Sequence, residues 1–400
     1  MNKAIVFNCN FNGLAIIQEL GKLGVECIAM DATRSIGTYS KFAKYVKVPN
    51  PSVDEAGFID ALYKYCEKEK LKPLLIPTND DWATAISKNK NYLSKVSNPL
   101  VADWFVVEKL IRKSVFYKLG EENNYLTPKT WSFANLKKEQ NIPFPIIIKP
   151  EYRRISKSKE EKKEKIPDEL RLTIIHSQSE LDNFIHQYNN ILSAMIFQEY
   201  ISGMSDKMFT IGIYANKEHE ILGIFSGKKV RGYPAEYGDW VVGENYLVPE
   251  DLIILVKRIV KELGYFGIAE FEFKYDALRN KYYLIEINPR SWSWIGITKY
   301  LGYGLPTIAY YDIIYNKQLT NDSTRTETGT VRYLKLLDDM HNCVSLYKKD
   351  YKPWNYGFFK WFISHRGKKT IYADFSCWDL MVSLRTIYRK ILQILKYDKN

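Results

Sequence analysis

Cysteine is scarce and unpatterned in this chain. Cys9, Cys27, Cys66, Cys343 and Cys377 are five in number, far apart and never arranged as C-x-x-C. An odd, dispersed set argues against a disulfide framework and against a zinc site, and leaves reduced thiols as the reading. The five histidines show no metal-ligand spacing, and no Ser-His-Asp or Cys-His arrangement is present. No apolar run approaches the ~20 residues needed to cross a bilayer. The opening Met1-Asn-Lys-Ala-Ile-Val-Phe7 enters a strand pattern at once, without signal-peptide design, so a cytoplasmic location is expected. The first strand–helix turn, Asn8 to Gly13, lacks G-x-G-x-x-G, which leaves a dinucleotide site unsupported.

What is present describes a folded chain. Apolar residues make up 46% and charged residues 26% of 400 positions, enough for a large core spread over more than one packed unit. Thirty tyrosines and 58 Lys+Arg are high, and the net charge of +12 favours anionic partners. Nucleic acid is not expected among them, because no aromatic–basic binding module is recognisable.

The most informative stretch is Tyr282-Tyr-Leu-Ile-Glu-Ile-Asn-Pro-Arg290, taken with Gly267-Ile-Ala-Glu-Phe-Glu-Phe-Lys-Tyr-Asp276 before it. Both alternate apolar and polar residues, the period of a strand with one buried face. A short polar link, Ala277 to Lys281, predicts a hairpin. With the turn centred near Arg279, Glu272 lies opposite Glu286. Glu270, Glu272, Glu286 and Asn288 then share one face, with Phe271, Phe273, Ile285 and Ile287 on the other. Carboxylates crowded on one patch repel unless a cation sits between them, and hard oxygen donors suit Mg²⁺. A solvated strand face is the alternative, against which Pro289-Arg290 weighs by placing a cation at the patch edge.

Upstream, strand–helix alternation predicts an open parallel sheet. Strands are expected at Lys3–Phe7, Glu26–Met30, Val46–Val48 and Leu74–Pro77, and helices at Asn12–Leu23 and Ser52–Glu69. Asn79-Asp-Asp81 lies just past a strand's carboxyl end, where a helix cap is favoured over a ligand contact. A helix is predicted over Lys109–Asn123, then the apolar strand Pro145-Ile-Ile-Ile-Lys-Pro150. Lys149 at its end must meet solvent or an anion, since burying an unpaired ammonium is costly. Glycine is missing from the charged run Glu151 to Lys165, which reads as solvated. Met195 to Gly203 is a strand entering a glycine turn, and strands follow at Phe209–Tyr214 and Glu220–Ser226. A basic, glycine-bounded loop is predicted over Gly227–Trp240, then a helix over Glu250–Leu263. Beyond Asn321 no motif carries chemistry. Its basic helix, Leu380–Lys396, reads as a packed C-terminal helix in preference to one lying on an anionic membrane face.

"EINPR" behind a "G-x-x-x-x-E-F" strand resembles the metal-binding strands of ATP-grasp enzymes, which join a carboxylate to an amine through an acyl-phosphate. Over about residues 1–315 the order of motifs is that family's. The resemblance implies an α/β ATP-grasp fold. Its parts would be a Rossmann-like domain (1–107), an N-lobe with a charged lid insertion at 151–170 (108–196), a C-lobe with the metal site (197–320) and a C-terminal extension (321–400). It implies ATP and Mg²⁺, two ions with Mn²⁺ as a substitute, held by Glu272, Glu286 and Asn288. Lys149, in a "P-hhh-K-P" strand, and Lys113 would contact phosphates. Gln198, Glu199, Tyr200 and Ile201 match the adenine hinge, and Asp206 the ribose acid. Arg290 would meet the transferring phosphoryl group, with Lys149 beside it as a catalytic residue.

The family's glycine-rich phosphate loop is replaced here by Glu151–Lys165, in which Arg153, Arg154, Lys157 or Lys165 are the candidate phosphate contacts. Lys229 and Arg231 resemble a "K-x-R" pair held against substrate, and Ser291 and Trp292 would line the acceptor side. An exposed hairpin loop and a packed Trp pair are the respective alternatives. The branch includes carbamoyl-phosphate-synthase-like proteins and D-aspartate ligases, so an amino-acid ligase of cell-wall biogenesis is the first functional expectation. A biosynthetic dipeptide or cofactor-modifying ligase is the second. A non-catalytic ATP-binding regulator is the alternative of another class. Expected partners are a small-molecule or peptide-precursor carboxylate and an amine donor. A homodimer is also expected, with no transmembrane segment and at most peripheral membrane contact.

Overall fold

A computed structural model of the chain describes residues 2–152, 166–233, 239–343 and 357–397. The apolar runs Ala4–Phe7, Cys27–Asp31 and Leu74–Ile76 are buried along their whole length, as strands covered on both faces must be. With Ala43–Lys47 and Asn98–Pro99 at the edges they form a five-stranded parallel sheet. The strand expected at Val46–Val48 therefore starts earlier, on an edge. Helices Phe11–Lys22, Glu55–Glu67 and Asp80–Lys88 flank the sheet. Ala4–Phe7 and Leu74–Ile76 are neighbours whose chains leave on opposite sides, so their carboxyl ends open a crevice at the switch in strand order. Asn79 caps the helix behind that crevice, its side chain accepting from the Trp82 amide.

A second, four-stranded antiparallel sheet runs Thr130–Ser132, Met195–Glu199, Ile146–Pro150, Thr173–Ile175. Trp131, Ile146, Ile148, Phe184 and Phe197 form its own core. The single helix expected over Lys109–Asn123 is two, Trp104–Ile111 and Lys113–Glu122, broken at Arg112. The break has a tertiary cause. The Lys113 amide and the Ser114 hydroxyl both turn to Glu151, two residues past Lys149, which draws the helix start to the end of that strand.

The third sheet has eight strands. It runs from Lys281–Asn288 through Gly267–Asp276, Met208–Ala215, Ile221–Tyr233 and Asp239–Asn245 to Val331–Leu334 and Lys369–Tyr372, and Asn321–Asp322 lies beside Ile221–Tyr233. Helix Glu250–Leu263 ends on Gly264 in the left-handed conformation, a position glycine fills without strain. Two expectations change here. The stretch predicted as a loop from Gly227 is strand as far as Tyr233 and again from Asp239, so Lys229 and Arg231 stand in the sheet. The glycine that suggested a loop is there for close packing, since a Cβ on Gly227 would strike Phe225 and Trp294. The C-terminal residues, which carried no motif, supply three strands to this sheet and the helices Leu336–Cys343, Phe358–Ile363 and Leu380–Tyr397.

Candidate active site

The hairpin forms with Glu272 opposite Glu286 and Glu270 opposite Asn288. Its route to that register is not the simplest one. The turn pairs Asp276 with Lys281, half a residue off the expected centre, and a bulge after Glu272 restores the pairing at the acids. Phe271, Phe273 and Ile287 pack beneath, in the core that also holds helix Glu250–Leu263. Ile285 falls at the bulge instead of in the core, and its carbonyl accepts the Tyr117 hydroxyl at 2.6 Å.

On the polar face, Glu270 and Asn288 are buried. The Asn288 amide donates to Glu270 Oε2 (3.0 Å) and Glu272 Oε1 (3.3 Å), and Lys229 Nζ donates to Glu272 Oε2 at 3.2 Å. Burial, then the neighbouring Glu272, push the Glu270 carboxyl well above the usual carboxylate range, and Lys229 and Arg290 only partly offset this. Among the described residues no three His, Cys, Asp or Glu side chains are grouped closely enough to hold a metal ion by themselves. A donor set of two glutamates and an asparagine amide oxygen nonetheless fits Mg²⁺ chemically. Burial and the second carboxylate both disfavour a negative charge on Glu270, so added positive charge on this face would be stabilising.

Lys149 arrives from the small sheet. Its ammonium donates to Tyr117 Oη and Gln198 Oε1, each at 2.9 Å. Burial lowers its pKa to about 8, while Glu286 and Glu272 pull it back up. The strand-end lysine and the acidic hairpin thus share one electrostatic site, with Tyr117 linking them. Tyr117 was not singled out in the sequence, where its only signal is its place four residues after Lys113 on the predicted helix Lys109–Asn123. Lys113 is the first residue of its helix, and its backbone amide donates to the carbonyl of Glu151, two residues past Lys149.

Gln198, Glu199, Tyr200 and Ile201 lead out of the small sheet toward the large one, which resumes at Met208. Gln198 is buried between Lys149 and the Thr130 hydroxyl, 2.7 Å from its amide nitrogen. Glu199 pairs with Arg279 of the hairpin turn at 2.5 Å. The Tyr200 ring lies under the Lys274 ammonium, and Ile201 is buried. Asp206 sits in the turn Ser205–Lys207, part-exposed and 3.8 Å from Lys207.

Arg290 closes the site on the remaining side. It is 9% exposed, and its Nη2 donates to Asn288 Oδ1 (2.9 Å), its Nη1 to the Ser291 carbonyl (2.9 Å) and its Nε to Asp80 Oδ1 (2.8 Å). Asp80 belongs to the crevice of the N-terminal sheet, so Asn79-Asp80 both caps a helix and reaches the site. Three sequence expectations are corrected by packing. Arg231 is turned into the protein, where Asp339 accepts its Nε (2.6 Å) and Nη2 (2.7 Å), so this guanidinium is committed to a buried acid. Ser291 and Trp292 are buried rather than lining a surface. Trp292 and Trp294 both pack on Phe225, the arrangement that was the alternative. Arg153, Arg154, Lys157 and Lys165 lie outside the described residues, as does most of the 151–170 insertion.

No family model matches the chain. Among curated proteins it is 28% identical over 298 residues to D-aspartate ligase from Enterococcus faecium (strain Aus0004), covering 70% of this chain and 68% of that one. Its fold matches L-amino acid ligase from Bacillus licheniformis with a TM-score of 0.59 at 15% identity, over 82% of this chain and 78% of the other. It also matches the biotin carboxylase domain of 2-oxoglutarate carboxylase from Hydrogenobacter thermophilus, solved with MgADP. That TM-score is 0.60 at 15% identity, over 80% of this chain and 71% of the other. The three-sheet fold is thus shared with these solved structures, and over 70% of its length the sequence is similar to a D-aspartate ligase.

Proposed function

We propose that the chain activates the carboxylate of an amino acid with ATP and couples it to an amine on a cell-envelope peptide precursor, with D-aspartate the first amino acid to test. The substrate carboxylate attacks the γ-phosphorus of ATP. A carboxylate oxygen–phosphorus bond forms as the bridging bond to the β-phosphate breaks, and ADP leaves. The amine then attacks the acyl carbon, the carbon–oxygen bond to phosphate breaks, and the amine loses a proton as the amide forms.

The observation that carries this reading is convergence. Lys149 from the small sheet, Glu272, Glu286 and Asn288 from the hairpin, and Arg290 steadied by Asp80 of the N-terminal sheet meet at one place. In this reading Lys149 and Lys113 hold phosphate oxygens. Gln198 to Ile201 form the adenine edge, and Asp206 accepts the ribose hydroxyls, as a carboxylate suits two vicinal donors. Glu272, Glu286 and Asn288 would hold Mg²⁺, two ions with Mn²⁺ as a substitute, which supply charge neutralisation at the phosphates when bound. Arg290 spans two oxygens of the transferring group with its planar fork. Lys229, now paired with Glu272, is placed to exchange that partner for a substrate or phosphate oxygen. Most of the rate enhancement in such chemistry comes from positioning and preorganised charge. A homodimer in the cytoplasm is the proposed state. No described helix is long and apolar enough to cross a membrane.

Phosphate release is the test, measured with D-aspartate and with a panel of other amino acids, each with and without a peptide precursor bearing a free side-chain amine. Release that needs both a carboxylate and an amine supports the ligase. A panel in which no amino acid raises release above ATP alone overturns it.

A further inference from the structure

The C-terminal helix Leu380–Tyr397 packs against the protein near its start, and Lys390 ties it to Asp338 farther along. Val382 packs on Leu14 and Ile36, and Asp379 just before it accepts from Ser40 and Gln18. Beyond that turn its apolar side chains face outward. Leu380, Leu384, Ile387, Tyr388, Ile391 and Leu392 are all exposed, Leu384 by 59%. Their spacing of i, i+4, i+7, i+8, i+11 and i+12 puts them on one stripe, on the side away from Val382. The short helix Phe358–Ile363 also carries exposed apolar side chains. Phe358, Phe359 and Phe362 are exposed, Phe359 by 80%, and Trp378 before the long helix by 67%. The two helices are fastened to consecutive residues of Leu336–Cys343, Lys390 to Asp338 and Trp361 to Asp339.

Charge selects the occupant of this apolar surface. Between residues 357 and 397 there are eight Lys and Arg, of which Lys360, Arg366, Lys369 and Arg389 are exposed. The only acids in that span, Asp374 and Asp379, are buried. A second copy of the chain would bring the same cations face to face around its own apolar stripe, a like-charge juxtaposition that disfavours self-association. A bilayer surface bearing anionic headgroups takes both features at once, apolar side chains in the acyl boundary and lysines and arginines at the phosphates.

We propose that the helices Phe358–Ile363 and Leu380–Tyr397 form a docking surface for an anionic lipid bilayer. The chain would be held there peripherally. Flotation of the full chain with vesicles tests this, using phosphatidylglycerol mixed with phosphatidylcholine, and phosphatidylcholine alone. The chain is expected to float with the anionic vesicles, to stay behind with the neutral ones, and to be released by salt. Leu384→Asp should reduce binding by at least roughly tenfold, from the lost apolar insertion and the added like charge. Arg389→Gln should reduce it by roughly fivefold. Both side chains are exposed, so both variants should keep wild-type melting and phosphate release. Equal recovery with neutral vesicles, or no loss in Leu384→Asp, overturns the proposal. So does light scattering that shows a Leu384-dependent dimer failing to float. The result stands apart from the ligase assignment, because flotation needs no turnover.

Discussion

Two buried groups of charges, both built on the large sheet, behave in opposite ways. Around Asp339 every demand is met. Its carboxylate accepts from Arg231 twice, from Trp361 Nε1 at 2.8 Å and from His365 Nε2 at 3.2 Å. Those donors hold its pKa down at about 2 although burial alone would raise it. Next to it, Glu244 takes Arg332 and Lys368 in the same manner. Around Glu270 the balance fails, since burial and a second carboxylate outweigh Lys229 and Arg290 and the carboxyl is pushed up. A saturated network is a strut that ties the C-terminal residues to the sheet. An acid cluster in which burial and a neighbouring carboxylate raise a carboxyl's pKa is a candidate functional site.

The largest expected effect breaks the strut. Asp339→Ala leaves the Arg231 guanidinium buried without its carboxylate and should cost about 3–5 kcal/mol of stability, measured by chemical denaturation. Turnover per folded molecule should change little, which separates this network from the site. Its pH dependence has a definite sign. The folded pKa, about 2, lies below the ordinary 3.8, so the unfolded chain holds the proton more tightly. The stability from Asp339 is therefore complete above the ordinary value and is lost as pH falls through the folded one. Loss of that acid-side slope in the Asp339→Ala variant is the check.

Glu286→Gln comes next. It keeps shape and removes one charge from the acidic face, so melting should be preserved while Mg²⁺-dependent phosphate release falls by roughly a hundredfold or more. Wild-type release in this variant would remove the hairpin from the metal assignment.

Why one cluster was legible in the sequence and the other was not follows from distance along the chain. Glu270 to Asn288 is a local hairpin, so alternation alone predicted which residues share a face, and the bulge happened to restore the expected register at the acids. The buried parallel strands were equally plain, because an apolar run bounded by turns has few other uses. Tyr117 meets Ile285 across 168 residues, Arg290 meets Asp80 across 210, and Arg231 meets Asp339 across 108. No periodicity encodes such pairs. Arg231 was misplaced for a second reason. Glycine beside basic residues reads as a loop, whereas Gly227 is small because Trp294 and Phe225 need its space.

Arg290→Lys sharpens the comparison within the site. Lysine keeps the charge but cannot hold Asp80, Asn288 and a transferring group together, as a planar fork does. Turnover should fall by roughly tenfold to a hundredfold, with ATP affinity changed much less. Asp80→Asn should show the same split in weaker form, lowering kcat more than it raises KM, because it acts by positioning Arg290. A variant at either position whose only defect is weak ATP binding would place this arginine with the nucleotide and not with the chemistry.

The smallest effect concerns how Lys149 is held. Its ammonium is half-buried against Tyr117 and Gln198, with a pKa lowered to about 8. Binding an anionic nucleotide favours the protonated form, so affinity for a non-hydrolysable ATP analogue should fall as pH rises through that value, by roughly tenfold per unit once the free lysine is neutral. Lys149→Ala should remove this pH dependence and weaken binding more than Lys113→Ala does, since Lys149 meets phosphate in a drier, lower-dielectric place than a lysine on the first turn of a helix. Calorimetric titration of the three proteins at pH values on both sides of 8 decides the point. Parallel pH curves for wild type and Lys149→Ala would mean that this ammonium serves the hairpin acids alone, and that the lysine of the small sheet is not the one that grips the nucleotide.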